Sequence, residues 1–300
     1  MTDQKITSFL TIARLGSYTR AAAALNLTQP ALSHHVRLLE EYYGCKLLSY
    51  DNRVLALTPA GMLIRDHFQT VLAGEKQLLE KLKHLEDQKR DIRFGATLTI
   101  GEFTMAPVMG DLFEAFPKDR PSMLVDNTKN ILSMLKEGEL SFALVEGLIS
   151  KDEFEAKLLK TCDFILVVSP EHPLSGEKEV HLSDLLKEVL IIREKGSGSR
   201  EILEKGLLEK NRSLESFRDI MEMGNVNVIK RMVEKNLGIS LMYRDAALTE
   251  LKKGSLVEVR IIDLLMEREF NFVELRMPAG ESQNQVYYEF FRNEMQRPRR

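Results

Sequence analysis

The chain has 300 residues, of which 44% are apolar and 29% are charged, and its formal net charge is −3. This length suits two or three globular domains, and the charge balance excludes a protein coated in basic residues. No apolar run approaches about eighteen residues, and the amino terminus has no basic segment followed by an apolar one, so we expect a cytoplasmic protein with no membrane partner.

The start of the chain has the pattern of a supporting helix followed by two helices with a tight turn between them. Apolar residues around 6–13 recur at helical spacing and predict a first, supporting helix. A second helix is predicted over residues 19–25, where four consecutive alanines have high helix propensity and little bulk. The turn that follows, at residues 26–28, lets a third helix pack closely against the second.

The third helix is predicted to start at Gln29 and Pro30, with Thr28 as its N-cap. Its apolar residues form one face, which we expect to pack inward: Leu32, Val36 and Leu39. Its polar residues form the opposite face: Gln29, Ser33, His34 and Arg37. Such side chains suit the major groove of DNA, although a solvated face on an ordinary helical hairpin is the alternative. Adjacent histidines at 34 and 35 diverge by about 100° on a helix and predict no metal site.

Three motifs within residues 9–61, GSYTRAA, TQPALS and LTPAG, resemble the amino-terminal domain of LysR-type transcriptional regulators. The resemblance implies a winged helix-turn-helix that binds double-stranded DNA. It assigns phosphate contacts to Thr19 and Arg20. It assigns base or backbone contacts to the start of the third helix, namely Thr28, Gln29, Pro30, Ser33, His34 and Arg37. The histidine pair departs from the Arg-Gln dipeptide common in the family, so the base preference stays open.

Two short strands are predicted at residues 46–50 and 53–57, joined by an Asp-Asn turn. In the family this hairpin is a wing beside the recognition helix. Arg53 is therefore the candidate for a phosphate or minor-groove contact, with simple solvation of its side chain as the alternative. Residues 1–90 contain 12 Lys or Arg against 9 Asp or Glu, so this part carries +3 and is the expected anion-binding end.

Residues 59–88 are predicted to form one long helix, which begins at Pro59 after a capping threonine. Its leucines recur near heptad spacing, and such a length is buried best against a second copy of the chain. We therefore expect a linker that is also the seam of a homodimer, and a pseudo-palindromic promoter site. The resemblance adds homotetramers and RNA polymerase as candidate partners.

Residues 91–300 alternate short apolar runs with helical patterns, which indicates an α/β effector domain. Predicted strands cover residues 92–96, 123–126, 140–145, 164–169, 189–193, 216–221 and 238–242. Predicted helices cover residues 100–116, 128–137, 183–187, 198–210 and 225–235. The resemblance implies two lobes similar to periplasmic solute-binding proteins: lobe I from residues 91–161 and 268–300, and lobe II from residues 162–267. The fold class is thus α/β, with a helix-rich winged helix-turn-helix domain at residues 1–58.

An effector is expected in the cleft between these lobes, where helices begin after strand ends. Free amides, helix dipoles and glycines favour a small anion there. The candidate residues are Thr97, Thr99, Ile100, Thr128, Ser197, Gly198, Ser199, Asn225 and Asn227. The alternative is that the polar members only cap their helices.

Three further expectations concern function. The segments TIGEF and GSGSRE resemble the family branch that regulates sulfur assimilation and carbon dioxide fixation. No nucleotide loop, metal spacing or nucleophile motif is present, so the sequence predicts no enzyme and no cofactor, and a free solute-binding protein is the alternative. Cys45 and Cys162 fall in different predicted domains, so we expect inert thiols, with a redox sensor left open.

Overall fold

The computed structural model describes residues 3–51, 54–84, 90–150, 152–264, 266–276 and 284–297. Its contacts divide the chain into two compact units, one of residues 1–81 with 136–138 and one of residues 82–135 with 139–300. The proposed wing residue Arg53 lies outside the described residues. Among the described helices none is long and apolar enough to cross a membrane, and no cluster of His, Cys, Asp or Glu in the described parts could hold a metal ion.

The first unit contains the helix pair that the sequence predicts. Its helices are α1 (Gln4–Leu15), α2 (Tyr18–Leu25), α3 (Gln29–Tyr43) and α4 (Pro59–His84). Thr28 caps α3 by accepting a hydrogen bond from the backbone N–H of Ala31, which confirms the predicted start of this helix. Asn26 adopts a left-handed conformation with φ of 53°, which turns the chain between α2 and α3.

The wing is a two-stranded antiparallel hairpin of β1 (Leu48–Asp51) and β2 (Val54–Leu57).

The core beneath the helices is made of apolar side chains from α1, α2 and α3, among them Ile12, Ala21, Leu32 and Val36. The predicted supporting role of the first helix is therefore confirmed.

The second unit is an α/β structure built on long strands. Its strands are β3 (Arg90–Thr97), β4 (Asp119–Asp126), β5 (Phe142–Glu146), β6 (Phe154–Val168), β7 (Glu179–Val180), β8 (Val189–Arg193), β9 (Asp219–Met223), β10 (Ser240–Tyr243), β11 (Val257–Ile261) and β12 (Met266–Leu275). Its helices are α5 (Val108–Ala115), α6 (Thr128–Lys136), α7 (Leu182–Leu185), α8 (Gly198–Glu209), α9 (Val226–Glu234), α10 (Arg244–Lys253) and α11 (Gln285–Gln296).

In the described residues most strands join one sheet, in the order β4-β3-β5-β12-β6-β11-β7, with β10 also paired to β6. The parallel pair β8 and β9 forms a separate small sheet. Antiparallel β6 and β12 run side by side for most of their length. Because both strands cross the predicted boundary between lobes I and II, backbone hydrogen bonds connect the two halves.

Two predictions about this unit were wrong in detail. The helix predicted over residues 100–116 is a π-helical turn, Ile100–Thr104, followed by the separate α5. The backbone N–H of Met105 donates to the carbonyl of Ile100, five residues earlier, at 2.8 Å. The strand predicted at 164–169 begins ten residues earlier. The sequence did not predict β7, β11, β12, α10 or α11.

Candidate functional site

The helix α3 has the buried apolar face and the exposed polar face that the sequence predicts. Leu32, Val36 and Leu39 are buried in the domain core. The residues with predicted DNA contacts are all exposed: Thr19, Arg20, Thr28, Gln29, Pro30, Ser33, His34 and Arg37. Amphipathic spacing thus leaves the polar strip of α3 exposed, and side chains of these types can contact base edges and phosphates.

The two adjacent histidines of α3 have different surroundings. His34 is exposed, and its Nδ1 lies 3.2 Å from Nη2 of Arg37. His35 is turned toward α1, where its Nδ1 lies 2.8 Å from the hydroxyl of the buried Ser8. Only His34 therefore belongs to the outward face, while His35 fastens α3 to α1.

Two of the predicted effector loops meet each other at the starts of α6 and α8. The Thr128 hydroxyl accepts a hydrogen bond from the backbone N–H of Gly198 at 3.1 Å and donates one to the carbonyl of Glu146 at 3.3 Å. A Cβ on Gly198 would lie 2.5 Å from that carbonyl oxygen, so only glycine allows this approach.

The remaining candidates have mixed environments. Asn225 accepts from the backbone N–H of Val228 and thus caps α9. Asn227 donates to Glu102 at 2.9 Å. The hydroxyls of Ser197 and Ser199 lie 2.9 Å apart, and Ile100 is fully buried in the core. The structure therefore does not gather all of the predicted effector residues into one site.

A cavity of about 10 Å³, the room that about one water molecule needs, lies beside Thr99. Of the predicted effector residues, Thr99 and Ser199 line it. Its other lining residues come from the strands and helices around β8 and β10: Ile192, Arg193, Arg200, Leu203, Val226, Ile229, Ser240, Leu241, Met242, Tyr243 and Ala246.

Both arginines at this cavity are already paired with carboxylates. Arg193 donates through Nε and Nη2 to the two carboxylate oxygens of Glu194, at 2.7 and 2.9 Å. Arg200 donates to Glu204 at 2.8 Å and to Glu222 at 2.5 Å. Three carboxylates thus face two guanidinium groups, and the polar side of the cavity carries no excess positive charge.

Glu146, the last residue of β5, is a buried acid next to this cavity, with only 2% of its surface exposed. Burial raises the pKa of its carboxyl to about 7, against the opposing effects of its own backbone N–H, of Arg193 and of the Thr99 hydroxyl. Burial also raises the pKa of Tyr243 well above its usual value, and the charge of Glu146 adds to this shift.

Glu146, Arg193 and Tyr243 were not among the predicted site residues. A signal for two of them is present in the sequence, because the apolar strands FALVE and VLIIR each end in a charged residue. A charge at the carboxyl end of a buried strand lies where α/β proteins bind ligands. That rule, applied to single residues, would have selected Glu146 and Arg193.

Comparison with known proteins agrees with both units. The model "Bacterial regulatory helix-turn-helix protein, lysR family" matches residues 4–62, and the model "LysR substrate binding domain" matches residues 86–295. The chain belongs to the LysR family of transcriptional regulators. It is a DNA-binding regulator with an effector-binding domain, and the alternative of a free solute-binding protein is not favoured, because the helix-turn-helix is present.

Relatives include regulators from the branch suggested by the sequence. The chain is 24% identical to the regulator CysL of Bacillus subtilis, over 96% of each chain. It is 29% identical to the RuBisCO operon transcriptional regulator of Allochromatium vinosum, over 84% of this chain and 83% of the relative. The regulatory domain of Synechocystis CcmR in complex with 2-PG shares the fold, with a TM-score of 0.60 and 18% identity over 70% of this chain and 98% of that domain.

Proposed function

We propose that this regulator reads a pseudo-palindromic promoter site with the outward face of α3, and that a small acidic effector bound between the two halves of the second unit modulates its activity. The DNA-binding proposal is supported by the exposed polar strip of α3, which lies on a helix whose opposite face is buried. Thr19 and Arg20 are the proposed phosphate contacts, because they are exposed near the start of α2.

The DNA-binding part is tested by footprinting of the chain's own promoter. Changing Gln29, Ser33 and Arg37 together to alanine removes three side chains that offer hydrogen bonds to DNA, and we expect protection of the promoter to be lost. The matched control is Gln4→Ala with Arg14→Ala, two exposed residues on α1. If the triple variant protects the promoter as the parent does, this assignment is wrong.

The effector part is supported by the cavity beside Thr99 and by the start of α8 at Gly198, where the helix dipole favours an anionic group. A ligand that binds only the folded chain raises its melting temperature. We expect small carboxylic acids to do so with the full chain and to change its footprint. The likeness of the fold to the CcmR domain bound to 2-PG supports this choice of ligand size.

Self-association completes the proposal. Several large apolar side chains of α4 are exposed in the single chain, among them Leu63, Val71, Leu78, Leu79 and Leu82. Their spacing is close to a heptad repeat, which suits a helix paired with a second copy. A homodimer joined along α4, or a tetramer of two such dimers, would present two recognition helices to the two halves of a promoter site. RNA polymerase is a further proposed partner.

A further inference from the structure

Three buried polar side-chain atoms have no hydrogen-bond partner within the described part of the chain. One is Oγ1 of Thr97, a predicted effector residue that is 1% exposed. The other two are Oε2 of Glu146 and the hydroxyl oxygen of Tyr243, whose residues are 2% and 1% exposed. Buried polar atoms in folded proteins nearly always have a partner, so each of these atoms requires an explanation. A carboxylate oxygen can only accept a hydrogen bond, whereas a phenol can also donate one.

The atoms of Glu146 and Tyr243 belong to residues that adjoin the cavity. Tyr243 lines it directly, together with Thr99 and Arg193. The carboxyl of Glu146 interacts with the Thr99 hydroxyl, with the charge of Arg193 and with Tyr243. The unpartnered acceptor and the unpartnered phenol are therefore neighbours at one edge of the proposed effector site.

No protein cation in the described site satisfies Glu146 by direct pairing. The Arg193 guanidinium is held by both oxygens of Glu194, and Arg200 is held by Glu204 and Glu222. Sulfate carries no hydrogen that it could donate to Glu146, so it leaves Oε2 without a partner. What the described site lacks is a group that donates to Oε2 of Glu146.

Resting on the proposed function of this cleft, we infer that the effector is a small carboxylic acid with a hydroxyl or amino group beside its carboxylate. The hydroxyl or ammonium donates to Oε2 of Glu146, and a carboxylate oxygen accepts from Tyr243. The cavity must widen to admit such a molecule, because it has room for about one water molecule.

The test uses matched pairs of acids that differ in one donor group. Lactate and alanine are compared with propionate, and glycolate with acetate, with sulfate and phosphate as inorganic anions. We expect the substituted acids, and not their parents or the inorganic ions, to raise the melting temperature of the full chain. Lactate with alanine distinguishes a hydroxyl donor from an amino donor. Equal shifts within each pair, or no shift with any substituted acid, would overturn the inference.

The role of Glu146 is tested with Glu146→Gln, which keeps the shape of the side chain but removes its charge. At the position of Oε2 the variant places either an amide nitrogen, which cannot accept, or an uncharged oxygen. Calorimetric titration should show at least a tenfold weaker binding of the responding acid, since a site built for a donor discriminates strongly. Glu155→Gln, an exposed change on β6, should bind like the parent. Unchanged binding by Glu146→Gln contradicts the inference.

The pH dependence gives an independent readout that a structural role would not produce. Binding of lactate should tighten between pH 6 and 8 as Glu146 loses its proton, because a carboxylate is a stronger acceptor than a neutral carboxyl group. Burial raises the pKa of Tyr243 well above its usual value, so its phenol keeps its proton over this range. The other titratable or charged side chains that act on Glu146 and Tyr243 are Arg193, Cys162 and Arg268. Weaker binding at higher pH would mean that Glu146 is the donor. Equal responses to the substituted acids and their parents refute this inference alone. No response to any acid also contradicts the small acidic effector of the proposed function, while a footprint that persists leaves its DNA-binding part intact.

Discussion

The Thr128 hydroxyl accepts a hydrogen bond from the backbone N–H of Gly198, at 3.1 Å. This bond joins the first turn of α6 to the first turn of α8. The backbone N–H of Lys129 also donates to the carbonyl of Gly196, at 3.2 Å. The starts of α6 and α8 are thus hydrogen-bonded to each other, and an effector that enters between them must break these bonds.

Gly198→Ala tests how tightly this contact is packed. The added methyl would lie 2.7 Å from the Thr128 hydroxyl, and overpacking of this kind costs about 1–3 kcal/mol. We expect a lower melting temperature for the variant. Gly110→Ala, in α5 with nothing within 4 Å of its new methyl, should keep or slightly raise the melting temperature. Equal stability of both variants would show that the contact at Gly198 is loose.

Glu146→Gln should change the dependence of stability on pH. The pKa of Glu146 rises from 4.5 to about 7 on folding, so the folded chain holds this proton more tightly than the unfolded chain. The parent therefore loses stability between pH 4.5 and 7, up to about 3 kcal/mol. We expect the variant to match the parent at pH 4 and to be more stable at pH 8.

The measurement is the free energy of unfolding by urea at both pH values. Glu155→Gln, on the exposed side of β6, is the control and should follow the parent throughout. If the variant is no more stable than the parent at pH 8, burial of the charged Glu146 carboxylate does not lower the free energy of unfolding.

How far the sequence predicts this structure depends on whether the signal is local. The N-cap at Thr28 and the turn at residues 26–28 were predicted, because capping and turn formation depend on a few neighbouring residues. The pairing of β12 with β6 was not, since it joins segments about a hundred residues apart. The burial of Glu146 was missed for the same reason: its desolvation is set by elements distant in the chain.

His34→Ala and His35→Ala form a matched pair on α3. His34 is exposed, so its loss should leave the melting temperature unchanged and weaken promoter binding. His35 contacts the hydroxyl of Ser8 in α1, so its loss should cost about 1 kcal/mol of stability. Promoter affinity at low temperature should remain with His35→Ala. If His34→Ala binds the promoter more strongly than His35→Ala does, the base contact is made by His35 and not by His34.

Charged substitutions on α4 test the proposed seam. Leu72→Glu with Leu79→Glu places two carboxylates along the apolar stripe, and we expect monomers that bind the promoter poorly. Sedimentation or light scattering gives the mass, and footprinting gives the affinity. The control is Gln69→Glu with Lys76→Glu, polar residues of the same helix. If the variant with Leu72→Glu and Leu79→Glu remains a dimer with normal promoter binding, the dimer interface does not lie on this helix.

Peroxide should leave promoter affinity unchanged. Burial raises the pKa of the Cys162 thiol to about 12, and the charge of Asp245 adds to this shift. A thiol that stays protonated reacts slowly with oxidants. The affinity of the parent is measured with and without hydrogen peroxide, beside Cys45→Ser and Cys162→Ser. A loss of affinity that either serine variant abolishes would make that cysteine a sensor.

The 15-residue strand β6 and its neighbour β12 have a consequence for the evolution of this protein. At about 3.3 Å per residue, β6 extends for about 50 Å, and β12 bonds to both β5 and β6. A chain shortened before residue 266 would expose two bare strand edges, which favour aggregation. Loss or exchange of one half of the second unit would therefore leave the other half with unpaired strand edges, which disfavours a simple fusion of gene segments.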